Sequence, residues 1–310
     1  MAEMLYQRDV YGQTLVELGR RSADLVVCDA DLSGSTRTAL FGKEFPGRFF
    51  NFGVAEQNMV ATAAGVASCG VTVFVSTFAM FASGRAWEQI RNTVCYSNLN
   101  VKVVATHAGV TVGPDGASHQ ALEDIAIMRA IPNMRVIVPC DGPETREAVQ
   151  AAFETPGPFY IRLGRAKVPT IAQRRPFVLG KGSVLVPGQD VALIACGIMV
   201  TAALEARALL EKKGISARVI DMASVKPLDE DLLRDAAAST RGIVVCEEHS
   251  VTGGLGSAVA EYTAERHPVR VARVGVKNRF GQSGDEPDLL KEYGLTAADI
   301  VAAAERVLAP

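Results

Sequence analysis

The fold can be read first from residues 101–128, VKVVATHAGVTVGPDGASHQALEDIAIM. The opening run, 101–105, is rich in β-branched residues and is typical of a buried strand. The closing segment begins with Glu123 and Asp124, and acidic residues are favoured in the first turn of a helix. The stretch therefore predicts a strand and a helix joined by a long loop, which is the repeating unit of an α/β sheet.

The loop of this unit holds the residues of greatest chemical interest. Glycines and a proline let its backbone turn tightly, and it carries His107 and His119, two of the four histidines of the chain, together with Asp115. Open α/β sheets bind ligands at the carboxyl ends of their strands. We therefore predict that these three side chains converge on one polar pocket. The alternative is a capped connection whose histidines are satisfied by local hydrogen bonds.

Strand and helix patterns alternate on both sides of this unit. Their order predicts the α/β class, with two open, mostly parallel twisted sheets that carry helices on both faces. The Pro-containing and basic segment 166–187 is predicted as a linker between a first domain, 1–165, and a smaller second domain, 188–310. Strands of the second domain are predicted at 190–196, 217–221, 242–247 and 269–275.

Composition narrows the classes of function. The chain has 310 residues, 48% of them hydrophobic, and a net charge of −2 with both signs interspersed. No extended basic face is expected for nucleic acid or a membrane surface, whereas small anionic substrates are compatible with this charge. The amino terminus lacks the basic start and apolar block of a secretory signal, and the six cysteines are widely spaced. We therefore expect reduced thiols and a cytoplasmic protein.

Polar and aromatic residues follow several of the predicted strands. Asp31 and Ser35 come after the strand at 25–28, although both types are also common helix caps. Glu56 lies in the first turn of the next long helix, where the helix dipole favours any carboxylate. Phe78 and Phe81 are either core residues or two ring faces presented to a flat ligand.

The second domain contains two local patterns that resemble sites. Residues 253–257, GGLGS, precede a helix but lack the full dinucleotide fingerprint, so we interpret them as a tight start of that helix. Glu247, Glu248 and His249 have the side-chain types of metal ligands. Consecutive residues of a strand point to opposite faces, so we do not expect one shared metal site.

Several motifs, in order and with consistent spacing, resemble the carboxyl-terminal half of transketolase. They are GVAEQNM (53–59), TFAMF (77–81), RAWEQIR (85–91), the loop 106–124 and PNM (132–134). The resemblance extends over residues 5–308. It implies that 1–165 is a pyrimidine-binding domain and that 188–310 is the transketolase carboxyl-terminal domain.

The resemblance implies thiamine diphosphate as the cofactor. Glu56 is similar to the family's glutamate that hydrogen-bonds N1′ of the aminopyrimidine, and a dry carboxylate with a raised pKa can share a proton there. That proton favours the imino form of the neighbouring amine, which then deprotonates the thiazolium carbon C2. Phe78 and Phe81 resemble the rings that flank the pyrimidine, and Asp31 resembles an aspartate close to the cofactor.

The same resemblance implies a set of substrate residues. His107 and His119 are similar to histidines at the substrate mouth, with His119 near the reacting oxygens of the ketose. They join Glu56 as the expected catalytic residues. Asp115 resembles a residue that bonds a sugar hydroxyl. The positions that match those holding the sugar phosphate are Arg8, Ser35 and Arg165, and arginine suits bidentate contacts with oxyanions.

Two departures from the family pattern bear on partners and on the pocket. Full-length transketolases carry an earlier domain that binds the diphosphate through Mg²⁺, and this chain begins after it. No metal site is therefore expected here, and Mg²⁺ is expected mainly on a separate amino-terminal, diphosphate-binding subunit. A heterotetramer with that subunit or a homodimer of this chain is implied. In addition, Gly84 stands where some relatives have a third aromatic residue.

The expected activity is transfer of a two-carbon ketol unit from a ketose phosphate to an aldose phosphate, as in the pentose phosphate pathway. The alternatives within thiamine enzymes are a deoxyxylulose phosphate synthase, a 2-oxo acid dehydrogenase β subunit, and a split transketolase for a branched or sulfonated sugar. A non-catalytic paralogue that kept the fold is the alternative from another class. Retention of Glu56, Phe78, His107 and His119 together favours an enzyme.

Overall fold

The computed structural model describes residues 3–172 and 174–309. The strands are β1 (Met4–Tyr6), β2 (Leu25–Asp29), β3 (Phe49–Asn51), β4 (Thr72–Phe78), β5 (Val101–Thr106), β6 (Arg135–Ile137), β7 (Phe159–Arg162), β8 (Lys167–Pro169), β9 (Ser183–Val186), β10 (Val191–Ala195), β11 (Ala217–Asp221), β12 (Ser224–Lys226), β13 (Ile243–Ser250) and β14 (Val271–Val276).

Helices separate most of these strands. The α-helices are α1 (Gln7–Arg21), α2 (Ser33–Thr36), α3 (Ala39–Glu44), α4 (Glu56–Ser68), α5 (Ala79–Arg85), α6 (Asp124–Arg129), α7 (Gly142–Glu154), α8 (Met199–Glu211), α9 (Glu230–Ser239), α10 (Leu255–Arg266), α11 (Glu286–Glu292) and α12 (Ala297–Leu308). A π-helical segment spans Gln89–Cys95, and 3₁₀ turns span Pro46–Arg48 and Val110–Asp115.

The first sheet has seven strands in the order β12-β6-β7-β5-β4-β2-β3, and every pair in it is parallel except β12 with β6. Alternate residues of its strands enter two different cores. Val73 and Val75 of β4 pack with α4 and the π-helical segment, whereas Phe74 packs with α1 and α7 on the opposite face. Because both faces are buried, the strands are mostly apolar, as is typical of a parallel sheet, although β5 and β7 also bury Lys102 and Arg162.

The second sheet has five strands in the order β14-β13-β10-β11-β9. Its pairs are parallel apart from β11 with the edge strand β9. Together the two sheets confirm the predicted α/β class with mostly parallel sheets flanked by helices. None of the helices in the described part of the chain has the length and apolar character that a membrane span requires.

The segment between the two sheets has more structure than a plain linker. Within 166–187, β8 pairs with β1 at the start of the chain, and β9 forms the edge of the second sheet. Strand β12, which follows β11 in sequence, adds to the first sheet instead of the second. One core also runs through both sheets, and it contains Val103 of β5 and Ile194 of β10. The two domains are therefore joined by backbone pairing and by shared apolar packing.

Candidate functional site

The residues singled out from the sequence lie at the carboxyl end of the first sheet. Asp31 follows β2, Phe78 ends β4, His107 follows β5 and Arg165 follows β7. Glu56 begins α4, just after β3. Parallel strands present their carboxyl ends at one edge, so these separate segments meet there as the sheet rule predicts.

One end of the site, which we term the carboxylate end, consists of Glu56, Arg85 and Phe81. Glu56 is 3% exposed, and both of its carboxylate oxygens accept hydrogen bonds from Arg85 Nη1, at 3.2 and 3.3 Å. The Arg85 guanidinium also lies over the Phe81 ring, 4.6 Å from its centroid. Beside them is a cleft of about 690 Å³, lined by residues 54–58 and Arg85. The exposed side chain of Arg85 thus lies between the buried carboxylate and the open cleft.

Aromatic rings form the middle of the site. Phe78 and Phe81 are nearly parallel, with an interplanar angle of 14° and centroids 6.0 Å apart. His107 stacks on Phe78 at 3.9 Å, and His119 meets the Phe81 ring edge-on at 5.2 Å. These spacings are those of interacting rings. The two histidines of the long loop therefore lie beside the two phenylalanines, on one continuous row of rings.

The hydrogen bonds of His107 define its protonation. Arg8 Nη1 lies 3.2 Å from Nε2, and a guanidinium can only donate, so Nε2 accepts and carries no proton. The neutral ring then holds its proton on Nδ1, which donates to Thr106 Oγ1 at 2.9 Å. Burial, followed by the positive charge of Arg8, lowers the pKa of His107 to about 3. His107 is therefore a neutral hydrogen-bonding group at physiological pH, not a ready proton acceptor.

The opposite end of the site, which we term the cation end, consists of Arg8, Arg165 and Lys167. They line a cleft of about 450 Å³. Arg165 is oriented by a hydrogen bond from Nη1 to the carbonyl oxygen of Val112 at 2.5 Å. Arg8 Nε is buried without a hydrogen-bond partner among the described residues. The three cations suit a small anion, and two carboxylates, Asp285 and Glu286, line the same cleft.

The other predicted residues lie on the rim. Asp31 is exposed and has a φ of 66°, and its backbone N–H donates to Asn51 Oδ1 at 3.1 Å. Asn51 Oδ1 also accepts from the Gly53 N–H, so Asp31 is tied to the turn that precedes Glu56. Ser35 is in the short helix α2, which packs against α1 and β4. Asp115 is exposed at the end of the 3₁₀ turn of the long loop.

The second domain holds the long loop in place, which no motif in the sequence indicated. Glu248 of β13 accepts a hydrogen bond from the Thr111 N–H at 2.7 Å. Gln120 Nε2 donates across the domain boundary to the carbonyl oxygen of Gln282 at 3.0 Å. Burial raises the pKa of Glu248 to about 7, although Arg162 and the Thr111 N–H act in the opposite direction. The loop is thus positioned by long-range contacts that local patterns do not encode.

A buried ion pair closes the loop from the side of its own sheet. Arg162 Nε donates to Asp124 Oδ2 at 2.8 Å, and the Tyr160 hydroxyl donates to the same oxygen at 2.7 Å. Arg162 Nη2 continues to the carbonyl oxygens of Ala121 and Glu248. Asp124 therefore has a positioning role at the end of the loop, beyond the helix-dipole role expected for it.

Three consecutive residues of β13, Glu247, Glu248 and His249, are divided between the two faces of the strand. Glu247 accepts from the N–H groups of Leu255 and Gly256, both at 2.8 Å, so its carboxylate occupies the start of α10 where a phosphate would sit. His249 Nε2 accepts from the Ala126 N–H at 3.3 Å. His249 Nδ1 lies 3.7 Å from Glu247 Oε2, so these two side chains share one face of the strand, whereas Glu248 contacts the long loop on the other face, as alternation along a strand predicts.

One further cluster groups residue types that bind metals. Cys140, Glu144 and Asp221 place ligand atoms within 4.8 Å of one another, at the junction of the two sheets. The Cys140 thiol donates to Asp221 Oδ2 at 3.3 Å. Burial raises the pKa of all three groups, Asp221 and Cys140 strongly. The cluster is therefore a buried, hydrogen-bonded contact between the domains, and its three groups ionise less readily than the same groups in water.

Comparison with known proteins gives consistent matches over most of the chain. The family model "Transketolase, pyrimidine binding domain" matches residues 3–170, and "Transketolase, C-terminal domain" matches residues 180–300. One subunit of the apulose-4-phosphate transketolase of Phocaeicola vulgatus is 40% identical over 94% of this chain and 94% of its own length. The 6-deoxy-6-sulfo-D-fructose transketolase subunit SqwH of Clostridium sp. is 42% identical over 97% and 94%, respectively.

A solved structure matches the whole chain as well. It is described as a split gene transketolase in an inactive beta4 tetramer. It superposes with a TM-score of 0.91 at 53% identity and covers 98% of each chain. The likeness therefore includes both sheets and their arrangement, not only the motifs around the long loop.

Proposed function

This chain belongs to the transketolase family, and we propose that it is the carboxyl-terminal subunit of a thiamine diphosphate-dependent split transketolase. The proposed reaction transfers a two-carbon ketol unit from a ketose phosphate to an aldose phosphate. The observation that supports it best is the row from buried Glu56, past the parallel rings of Phe78 and Phe81, to the cation end. This series of neighbouring side chains contains a carboxylate, flat apolar ring faces and cations that can bind an anion.

The residues present fit the aminopyrimidine half of the cofactor. A flat heterocycle needs apolar ring faces and a hydrogen-bonding group for its nitrogen, and the carboxylate end supplies both. We propose that Glu56, Phe78, Phe81 and Asp31 hold it. When bound, thiamine diphosphate supplies the nucleophilic carbon that breaks and forms the carbon–carbon bond. Glu56 would share a proton with ring nitrogen N1′, and each of its oxygens keeps a lone pair for this beside the hydrogen bond from Arg85.

The remaining residues act on the sugar. His119 is partly exposed and offers Nε2 to a sugar oxygen beside the Phe81 ring. Both ring nitrogens of His107 are already hydrogen-bonded, so His107 binds a sugar oxygen only when Arg8 leaves Nε2. Arg8 and Arg165, with Ser35 of α2, bind the anionic tail, and Asp115 accepts from a hydroxyl at the rim. Because Arg8 already occupies His107 Nε2, binding of an anion to Arg8 alters the hydrogen bonds of the histidine.

We propose that the diphosphate and Mg²⁺ are held by a separate amino-terminal subunit. The solved relative described as an inactive tetramer of beta chains supports this requirement for a second chain. We retain 1–165 and 188–310 as the two domains of this subunit, joined by 166–187. The six cysteines are all free, and five of them are buried, which is in keeping with a cytoplasmic enzyme.

The test is reconstitution from the native cell. The tagged chain is purified with whatever remains bound, and ketol transfer from xylulose 5-phosphate to ribose 5-phosphate is measured with and without thiamine diphosphate and Mg²⁺. We expect activity that requires a second, co-purifying chain. Full activity from this chain alone would contradict the split-subunit proposal. If a partner is bound but no ketol unit is transferred, the next substrates to test are apulose 4-phosphate and 6-deoxy-6-sulfo-D-fructose, the sugars in the names of two relatives.

A further inference from the structure

A short segment of the second domain lines the cleft at the cation end with its last two residues, Asp285 and Glu286. We term it the acidic wall, residues 281–286, GQSGDE. Gln120 of the long loop donates to the Gln282 carbonyl oxygen at 3.0 Å. A Cβ atom at Gly116 would lie 2.6 Å from Ser283 Oγ, so no larger residue fits there without a shift. The acidic wall is therefore packed directly on the loop that carries the candidate substrate residues.

The same packing places the acidic wall beside Arg165. A Cβ atom at Gly113 would lie 3.3 Å from the Gly284 carbonyl oxygen and 3.4 Å from Arg165 Nη1. Gly113, which has no side chain, is therefore the residue that lies between Arg165 and the turn leading into Asp285 and Glu286. Helix α11, which begins at Glu286, packs on the 3₁₀ turn of the loop and fixes this arrangement.

Two carboxylates consequently share a cleft with three cations. Asp285 and Glu286 line the cleft of about 450 Å³ together with Arg8, Arg165 and Lys167. Burial raises the pKa of Glu286, and the charge of Arg165 opposes that rise, so the field of Arg165 reaches this carboxyl. An anion that binds Arg165 in this cleft must therefore also approach the carboxyl group of Glu286.

We propose that Glu286, supported by Asp285, lowers the affinity of the cleft for a terminal substrate group that carries two negative charges; we call this terminal group the tail of the substrate. This inference rests on the proposed function, because it concerns the tail of the sugar that reacts. A dianionic phosphate gains the attraction of the arginines but is repelled by Glu286. A tail with one negative charge, or with none, meets less repulsion. Arg8 and Arg165 alone would favour a substrate whose terminal group carries two negative charges. The acidic wall weakens this preference.

The test is Glu286→Gln in the complex with its partner subunit, thiamine diphosphate and Mg²⁺. The acceptors compared are ribose 5-phosphate and uncharged glycolaldehyde. We expect KM for ribose 5-phosphate to fall roughly three- to tenfold, with kcat and the KM for glycolaldehyde little changed. The matched control is Asp288→Asn, which removes the same charge from the exposed side of the first turn of α11, outside the cleft. It should leave both KM values unchanged.

An unchanged or raised KM for ribose 5-phosphate in Glu286→Gln would overturn the proposal. An equal fall in Asp288→Asn would also overturn it, since net charge alone would then be responsible. A second measurement is independent of turnover: calorimetric binding of sulfate to the same complex without sugars. We expect sulfate to bind severalfold more tightly to Glu286→Gln. If the wild-type complex transfers no ketol unit, the proposed function fails, whereas the sulfate comparison still decides the role of Glu286.

Discussion

The carboxylate end and the cation end of the site are built in different ways. Glu56, Phe81 and Arg85 all belong to the first domain and lie within 30 residues of one another, at the starts and ends of two neighbouring helices. The cleft at the cation end combines the start of α1, the segment after β7, the long loop and the acidic wall of the second domain. One end therefore depends on local structure, and the other depends on how the two domains meet.

This difference explains what the sequence could predict. Glu56, Phe78 and His107 lie at strand ends because the alternation of strands and helices places them there. Glu248, Gln120 and the acidic wall act through contacts between residues that are more than a hundred positions apart, and hydrophobic periodicity contains no information on such pairs. Strand β12 was missed for a related reason: three residues are too few to show a period, and their pairing partner is in the other domain.

The largest effect should come from the carboxylate end. Glu56→Gln keeps the shape of the side chain but removes the group proposed to share a proton with N1′. We expect kcat to fall roughly 10²–10⁴-fold in the reconstituted complex, which is the usual contribution of a positioned acid or base. Glu154→Gln, at the exposed end of α7, is the control and should retain wild-type kcat.

Subunit assembly, measured by sedimentation, should be the same for Glu56→Gln and the wild type. A Glu56→Gln complex with wild-type turnover would remove Glu56 from the catalytic residues. Loss of assembly together with activity would assign Glu56 a structural role instead, since its carboxylate also holds Arg85.

The joint between the loop and the second domain is tested by Gly109→Ala. Gly109 has a φ of 82°, and a Cβ atom there would overlap with the Glu248 carboxylate. Gly70→Ala is the matched control, because Gly70 has a φ of 89° and open space around its Cα. We expect the control to lose about 1 kcal/mol of unfolding free energy from strain, and Gly109→Ala about 2 kcal/mol more from the clash. Urea denaturation measures the free energy of unfolding of both variants. Equal losses would show that the contact between Gly109 and Glu248 does not contribute to stability.

At the cation end, Arg165→Ala should act on binding more than on turnover. It removes a guanidinium that Val112 orients into the cleft, so KM for xylulose 5-phosphate should rise about 10- to 50-fold. The uncharged ketose L-erythrulose serves as the internal control, and its KM should change little. If both donors lose affinity alike, Arg165 supports the fold of the loop and does not recognise the anion.

The smallest effect we expect is a pH dependence at the joint between the loop and the second domain. The pKa of Glu248 is raised from 4.5 to about 7 in the folded chain, mainly by burial. A raised pKa stabilises the folded state fully below pH 4.5, and this contribution is lost as the pH rises through 7.

Glu248→Gln keeps an oxygen for the Thr111 N–H but cannot titrate. The free energy of unfolding of Glu248→Gln, relative to that of the wild type, should therefore rise by about 1–2 kcal/mol between pH 6 and pH 8. Urea denaturation at the two pH values gives this difference. Parallel pH profiles for the two proteins would mean that Glu248 is already ionised at pH 6, with Arg162 and the Thr111 N–H outweighing its burial.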